Sequence, residues 1–171
     1  AVILGAGGAG TALSWCLVER ADRPASIVVT DTSDERLAHL RDVHRRHGTP
    51  ESLIRYVNVS EPGAGNAVIA DAAPGSLIVN ATGLGKDRPG SPLADDAVLP
   101  LGAYVWEFNY RGTLEFLAQA RAQAEARELT VVDGWRYFIH GWTQVISEVF
   151  SVEMPPARVE ELATIAEFAR A

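Results

Sequence analysis

The chain opens Ala1-Val2-Ile3-Leu4-Gly5-Ala6-Gly7-Gly8-Ala9-Gly10. A short apolar run leads into Gly5, Gly7 and Gly10 at the spacing G-x-G-x-x-G, and a helix-forming stretch, Thr11 to Ala21, follows. The glycines alone say little; a strand before them and a helix after them give the pattern meaning. In that setting Gly5 permits the tight turn from strand to helix. Gly7 lets a pyrophosphate approach the backbone, and Gly10 lets the helix pack closely on the strand. The N–H groups and the positive dipole end of the helix then favour an anion. Gly5, Ala6, Gly7, Gly8, Ala9 and Gly10 therefore read as a phosphate cradle.

The next apolar run, Ser26 to Asp31, reads as a second strand ending on a carboxylate. Asp31 follows the last glycine by about 20 residues, where a dinucleotide fold places an acid on the adenosine ribose. A 2′-phosphate at that place would be repelled, so Asp31 selects NAD, with NADP the less favoured cofactor. No arginine occupies the two positions after it, and Arg36 is the nearest downstream base. The competing reading is an ordinary glycine turn, with Asp31 capping a helix that starts near Ser33.

Outward from this unit, strands and helices alternate. A helix runs from Ser33 to about His47, with Leu37, Leu40, Val43 and His44 on one side. Leu53 to Val57 reads as a strand, Pro62 to Gly65 as a loop and Asn66 to Ala73 as a short helix. Ser76 to Asn80 is an almost wholly apolar strand, as burial on both faces requires. After a loop with three prolines come a strand over Ala103 to Phe108, a helix over Thr113 to Arg127 and a strand over Thr130 to Asp133. Long apolar helix Trp135 to Phe150 and amphipathic helix Val159 to Ala169 complete the chain. In the first helix, Ala12, Trp15, Cys16 and Glu19 mark the expected inner face. The order implies an α/β fold: a doubly wound parallel sheet of about six strands, Rossmann-like, with strand one central and helices on both faces.

Composition narrows the class. With 171 residues, 47% apolar and 22% charged, the chain suits one dinucleotide-binding domain, residues 1–171. A net charge of −7 argues against a nucleic-acid or anionic-membrane surface. One cysteine, Cys16, excludes a disulfide framework, and a reducing cytoplasm is the simplest compartment. No run approaches a membrane span. The sequence begins on the first strand with no methionine, which reads as a piece of a longer protein.

Three further segments, Asn80-Ala81-Thr82-Gly83-Leu84-Gly85, Val105-Trp106-Glu107-Phe108-Asn109-Tyr110 and Val131-Val132-Asp133-Gly134, occur in series with the glycine turn. Together they resemble the cofactor-binding half of shikimate and quinate dehydrogenases, from Val2 to about Phe150. The resemblance implies that Ala81, Thr82 and Gly83 line the cofactor, that the backbone near Gly134 meets the nicotinamide amide, and that Tyr110 lies near the substrate. It implies a small cyclic hydroxy acid as substrate and an amino-terminal substrate domain as partner. The family's catalytic lysine and aspartate belong to that domain, so no catalytic residue is assigned here. Three positions depart from the family pattern. Asp31-Thr32-Ser33 stands for an Asn-Arg-Thr-like segment, Arg111-Gly112 for Asn-Pro after the tyrosine, and Gly141 for a substrate-binding glutamine; Gln144 lies one turn along.

The remaining candidates are weaker. His140 among aromatics reads either as a proton donor or as a packed residue. His39, His44 and His47 lack the spacing and companions of a metal site, so none is assigned. The enzyme reading stands beside a second one, a non-catalytic dinucleotide-binding module with a sensing or regulatory role.

Overall fold

A computed structural model describes residues 1–168. Its strands are β1 (Val2–Leu4), β2 (Ile27–Asp31), β3 (Ile54–Asn58), β4 (Leu77–Asn80), β5 (Tyr104–Glu107) and β6 (Thr130–Val132). The helices are α1 (Gly8–Glu19), α2 (Asp34–Arg46), α3 (Ala64–Ala70), α4 (Glu115–Gln123), α5 (Trp135–Phe150) and α6 (Pro156–Glu167). All strand pairs are parallel, in the order β3-β2-β1-β4-β5-β6. This is the doubly wound sheet expected, with β1 inside it, and the order reverses between β1 and β4. Ligands of such sheets bind at that reversal, outside the strand C-termini.

Two cores cover the two faces, because successive strand residues point to opposite sides. On one face Val2, Leu4, Ile78 and Val105 pack with Val68 and Ile69 of α3 and Phe116 of α4. On the other Ile3, Ile27 and Val29 pack with Val18 of α1 and Leu37 and Leu40 of α2. A separate cluster joins Trp135 and Ile139 of α5 to Val159 and Ala163 of α6.

Several local expectations change. In α1 the buried face is Gly10, Ser14 and Val18, while Ala12, Cys16 and Glu19 are exposed. Trp15 is half-buried and meets His47 edge-on. The glycine turn sets this phase: Gly8 to Gly10 are already helical, and Gly10 must lie against the turn. The helix α3 starts earlier than expected, because Gly63 adopts the left-handed conformation (φ 78°) and turns the chain directly into it. The helix α4 is shorter at both ends, with left-handed Leu114 before it and left-handed Glu128 beyond. The proline pair is a start and not only a break, since Pro156 occupies the first turn of α6. Ala169, the expected end of that helix, lies outside the described residues. Ser33 caps α2, its side chain accepting from the Arg36 N–H.

Candidate functional site

The glycine turn stands where the sheet order reverses. Gly5 has φ 110°, a conformation L side chains rarely adopt, and its N–H donates to the Thr30 carbonyl at 2.8 Å. A Cβ on Gly10 would overlap the Gly5 carbonyl oxygen. Gly7 and Gly8 instead face open space, with nothing within 4 Å of an added Cβ. The first hydrogen bond within α1 is from Thr11 N–H to Gly7 O at 2.9 Å. The amides of Gly8, Ala9 and Gly10 precede that bond, at the positive end of a 12-residue helix. Close packing at Gly5 and Gly10 with open space at Gly7 and Gly8 fits a phosphate group.

Asp31 is built into the turn. Its Oδ2 accepts from Ala6 N–H at 2.9 Å, and its Oδ1 accepts from Ser33 N–H at 2.9 Å and from Arg36 Nη2 at 2.8 Å. Burial alone would raise its pKa. The Arg36 guanidinium and the two backbone amides outweigh that and hold the carboxyl below its usual range. The Asp31 side chain is only 8% exposed, that of Arg36 53%. Asp31 therefore does not cap α2, which Ser33 does; it ties β2 to the glycine turn and pins Arg36 over the site.

Two clefts open along this edge. The first, about 500 Å³, is lined by Gly5, Gly7, Thr30, Asp31 and Arg36. The second, about 420 Å³, is lined by Ala9, Lys86, Asn109, Tyr110, Tyr137 and Gly141. Ala81, Thr82 and Gly83 line both. A larger cleft of about 640 Å³ lies at the start of β2 and β3, with Ser26, His44 and Tyr56 on its wall. It sits at the wrong edge of a parallel sheet and has no glycine turn.

The expected residues divide accordingly. Gly5, Gly7 and Asp31 share the first cleft, Ala9 and Tyr110 the second, and Ala81, Thr82 and Gly83 stand between. Ala6 is engaged by Asp31, Gly8 is exposed and Gly10 is buried beneath the turn. Gly134 lines neither cleft; it is buried against the carbonyls of Phe108 and Asn109, where a Cβ would overlap them. The Tyr110 ring stacks on Phe138 at 3.9 Å between centroids, with Lys86 Nζ and Arg111 Cζ each 5.8 Å from its centroid. Gly141 lines the second cleft, whereas Gln144 is turned toward Glu148 at 2.9 Å. His140 is exposed and lines neither cleft. Sequence reasoning missed Lys86, which lines the second cleft and pairs with Asp87 at 3.3 Å. It also missed the hold of Arg36 on Asp31. The spacing of five residues across a helix start was the available signal for that pair.

Among the described residues no group of three potential metal ligands comes together, and no helix is long and apolar enough to cross a membrane. No protein-family model matches the chain. Over 164 residues it is 27% identical to the shikimate dehydrogenase (NADP(+)) of Streptococcus gordonii, covering 93% of this chain and 53% of that one. The shikimate 5-dehydrogenase of Thermus thermophilus, solved with shikimate, superposes with a TM-score of 0.62 at 23% identity, over 96% of this chain and 53% of that one. The Listeria monocytogenes enzyme, solved with shikimate and NAD, gives 0.62 at 18% identity, over 94% and 54%. Shikimate dehydrogenase 1 of Peptoclostridium difficile gives 0.66 at 15%, over 99% and 54%. The chain is thus similar, along nearly its whole length, to about half of a shikimate dehydrogenase.

Proposed function

We propose that the chain is the dinucleotide-binding half of an NAD(P)-dependent dehydrogenase acting on a small cyclic hydroxy acid. The carrying observation is the turn itself: tight at Gly5 and Gly10, open at Gly7 and Gly8, and tied to a buried acid at the end of β2. In this reading the amides of Gly7 to Gly10 hold the pyrophosphate. Asp31 holds the adenosine ribose, and Ala81, Thr82 and Gly83 carry the cofactor from the first cleft to the second. Tyr110 and the backbone that Gly134 supports border the nicotinamide and the substrate. The nicotinamide supplies a hydride acceptor or donor; the protein binds it, orients it and excludes water. A separate substrate domain supplies most of the substrate-binding surface and the acid–base groups, so this chain alone binds dinucleotide without turning over shikimate or quinate.

The finer proposal is NAD as the preferred cofactor. Ser33, Arg36 and Ala6 already occupy most of the acceptor capacity of Asp31, which leaves room on Oδ2 for one ribose hydroxyl. A 2′-phosphate would bring about two charges against that carboxylate, each repulsion of order 4 kcal/mol at 4 Å before screening. Arg36 favours a second reading, NADP. Half-exposed beside Asp31, it has only to swing outward to meet a phosphate, and the Streptococcus gordonii relative is named for NADP(+). Fluorescence titrations with NADH and NADPH separate the two. Tighter NADH binding, narrowed by Asp31→Ala, is expected; tighter NADPH binding, lost in Arg36→Ala, would establish the second reading.

A further inference from the structure

Glu107 has no role in the reading above. It ends β5, opposite Asn80 at the end of β4, and is fully buried. A carboxyl is costly to bury unless its oxygens find donors. Oε2 accepts from Asn80 Nδ2 at 2.8 Å, and Oε1 accepts from the Asn109 backbone N–H at 2.8 Å. Each partner carries the connection onward. Asn80 Oδ1 accepts from Thr82 N–H at 3.0 Å and from Thr82 Oγ1 at 2.7 Å. Thr82 Oγ1 in turn accepts from Leu84 N–H at 3.2 Å, and the Leu84 carbonyl accepts from Asn109 Nδ2 at 2.9 Å. The links close a ring from Glu107 through Asn80, Thr82, Leu84 and Asn109 back to Glu107. Thr82 lines both clefts, and Asn109 lines the second.

We propose that Glu107 is the positioning residue of this site: by accepting on both oxygens it locks the Ala81–Leu84 turn to the Asn109–Tyr110 segment, and so sets the opening in which the nicotinamide end is held. The proposal rests on the reading of the clefts as a dinucleotide site. Its physical basis is donor–acceptor polarity. The groups facing the carboxyl are N–H donors. A glutamine at 107 would set its own NH2 against one of them. Asn80 cannot relieve the clash by flipping, because its Oδ1 is already committed to two donors from Thr82.

Protonation acts in the same direction. Burial pushes the Glu107 pKa up to about 7, although the Asn109 and Asn80 donors pull it back. The protonated acid would turn an O–H toward an N–H and open the ring. The groups packed on Glu107 are uncharged amides, and among the described residues no cation pairs with it. The charges around the second cleft are engaged elsewhere: Lys86 and Arg111 with Asp87 at 3.3 and 3.7 Å, and Glu115 with Thr113 at 2.6 Å. Lys86 and Arg111 also stand over the Tyr110 ring, each 5.8 Å from its centroid.

The test uses the chain with three probes: NADH, ADP and backbone amide exchange. In Glu107→Gln, NADH affinity should fall roughly tenfold, the scale of one buried donor left unpaired. ADP, which reaches only the adenosine and pyrophosphate positions, should change less than about twofold by the same reasoning. Wild-type NADH affinity should fall as the pH drops through about 7, and in Glu107→Gln that step should vanish. The paired exchange Glu107→Gln with Asn80→Asp restores a donor facing an acceptor at every link, and should recover most of the NADH affinity. Equal losses for NADH and ADP, an unaltered pH step, or no recovery in the paired variant would overturn the proposal. If the wild-type chain binds neither ligand, the dinucleotide reading itself fails. Amide exchange then decides the positioning role: faster exchange at both Thr82 and Asn109 in Glu107→Gln sustains it, and unchanged exchange ends it.

Discussion

Gly5→Ala and Gly7→Ala separate what the turn needs in order to fold from what it needs in order to bind. At Gly5 the backbone has φ 110°, and an added Cβ would lie 2.9 Å from the Ala81 carbonyl oxygen and 3.0 Å from Thr82 Cγ2. The first neighbour is backbone at the end of a central strand, so it yields little. Strain of about 1–3 kcal/mol for the backbone and about 1–3 kcal/mol for the overpacking gives a loss near 4 kcal/mol. For a domain of this length that lowers Tm by about 8–16 °C. At Gly7 the backbone is extended, with φ −77°, and nothing lies within 4 Å of an added Cβ. Alanine there should stabilise the chain by about 0.5 kcal/mol through the unfolded state. It should nevertheless weaken NADH binding by about tenfold, because Gly7 lines the first cleft and the methyl would stand where the phosphate must approach. Thermal unfolding and NADH fluorescence on the same two variants give both readouts. Gly7→Ala with full NADH affinity, or Gly5→Ala with wild-type Tm, would refute this account of the turn.

Two further outcomes follow from buried and cleft-lining groups. His44 is buried neutral: Tyr56 Oη donates to its Nδ1 at 2.7 Å, its Nε2–H donates to Ser14 Oγ at 3.1 Å, and Ser14 donates to the Thr11 carbonyl at 3.0 Å. Burial lowers its pKa from 6.5, so below that pH the unfolded chain takes up a proton that the folded chain resists. Stability is full above pH 6.5 and falls as the pH drops toward the lowered value; His44→Gln should flatten that slope in Tm against pH, and an unchanged slope would assign it to other groups. In a protein that joins this chain to the proposed substrate domain, Tyr110→Phe should raise KM or lower kcat several-fold with dinucleotide Kd unchanged, and an unaltered kinetic profile would remove Tyr110 from the site.

The sequence carried the fold because the deciding interactions are local. A strand, a glycine turn, a helix and an acid follow one another within some 30 residues, and each glycine's spacing has one steric use. The short connections then leave few topologies for six apolar runs. Helix phase was less legible. The inner face of α1 is fixed by Gly10 against the Gly5 carbonyl, so a small polar residue, Ser14, is buried while Cys16 is exposed. Apolar periodicity gives the wrong stripe in such a helix. Asp31 was legible by position, but its bonds to Ala6 and Arg36 were not, since they depend on where two loops meet. Glu107 was invisible for the same reason. A charged residue in an apolar strand looks like an interruption until the register sets it opposite Asn80.

A crystal structure of this chain grown with NAD tests the central claim most directly. The account predicts the pyrophosphate within hydrogen-bonding distance of the Gly7–Gly10 amides, the adenosine ribose on Asp31 and the nicotinamide beside Thr82 and Tyr110. A dinucleotide seated elsewhere, or none bound at millimolar NAD, would contradict it.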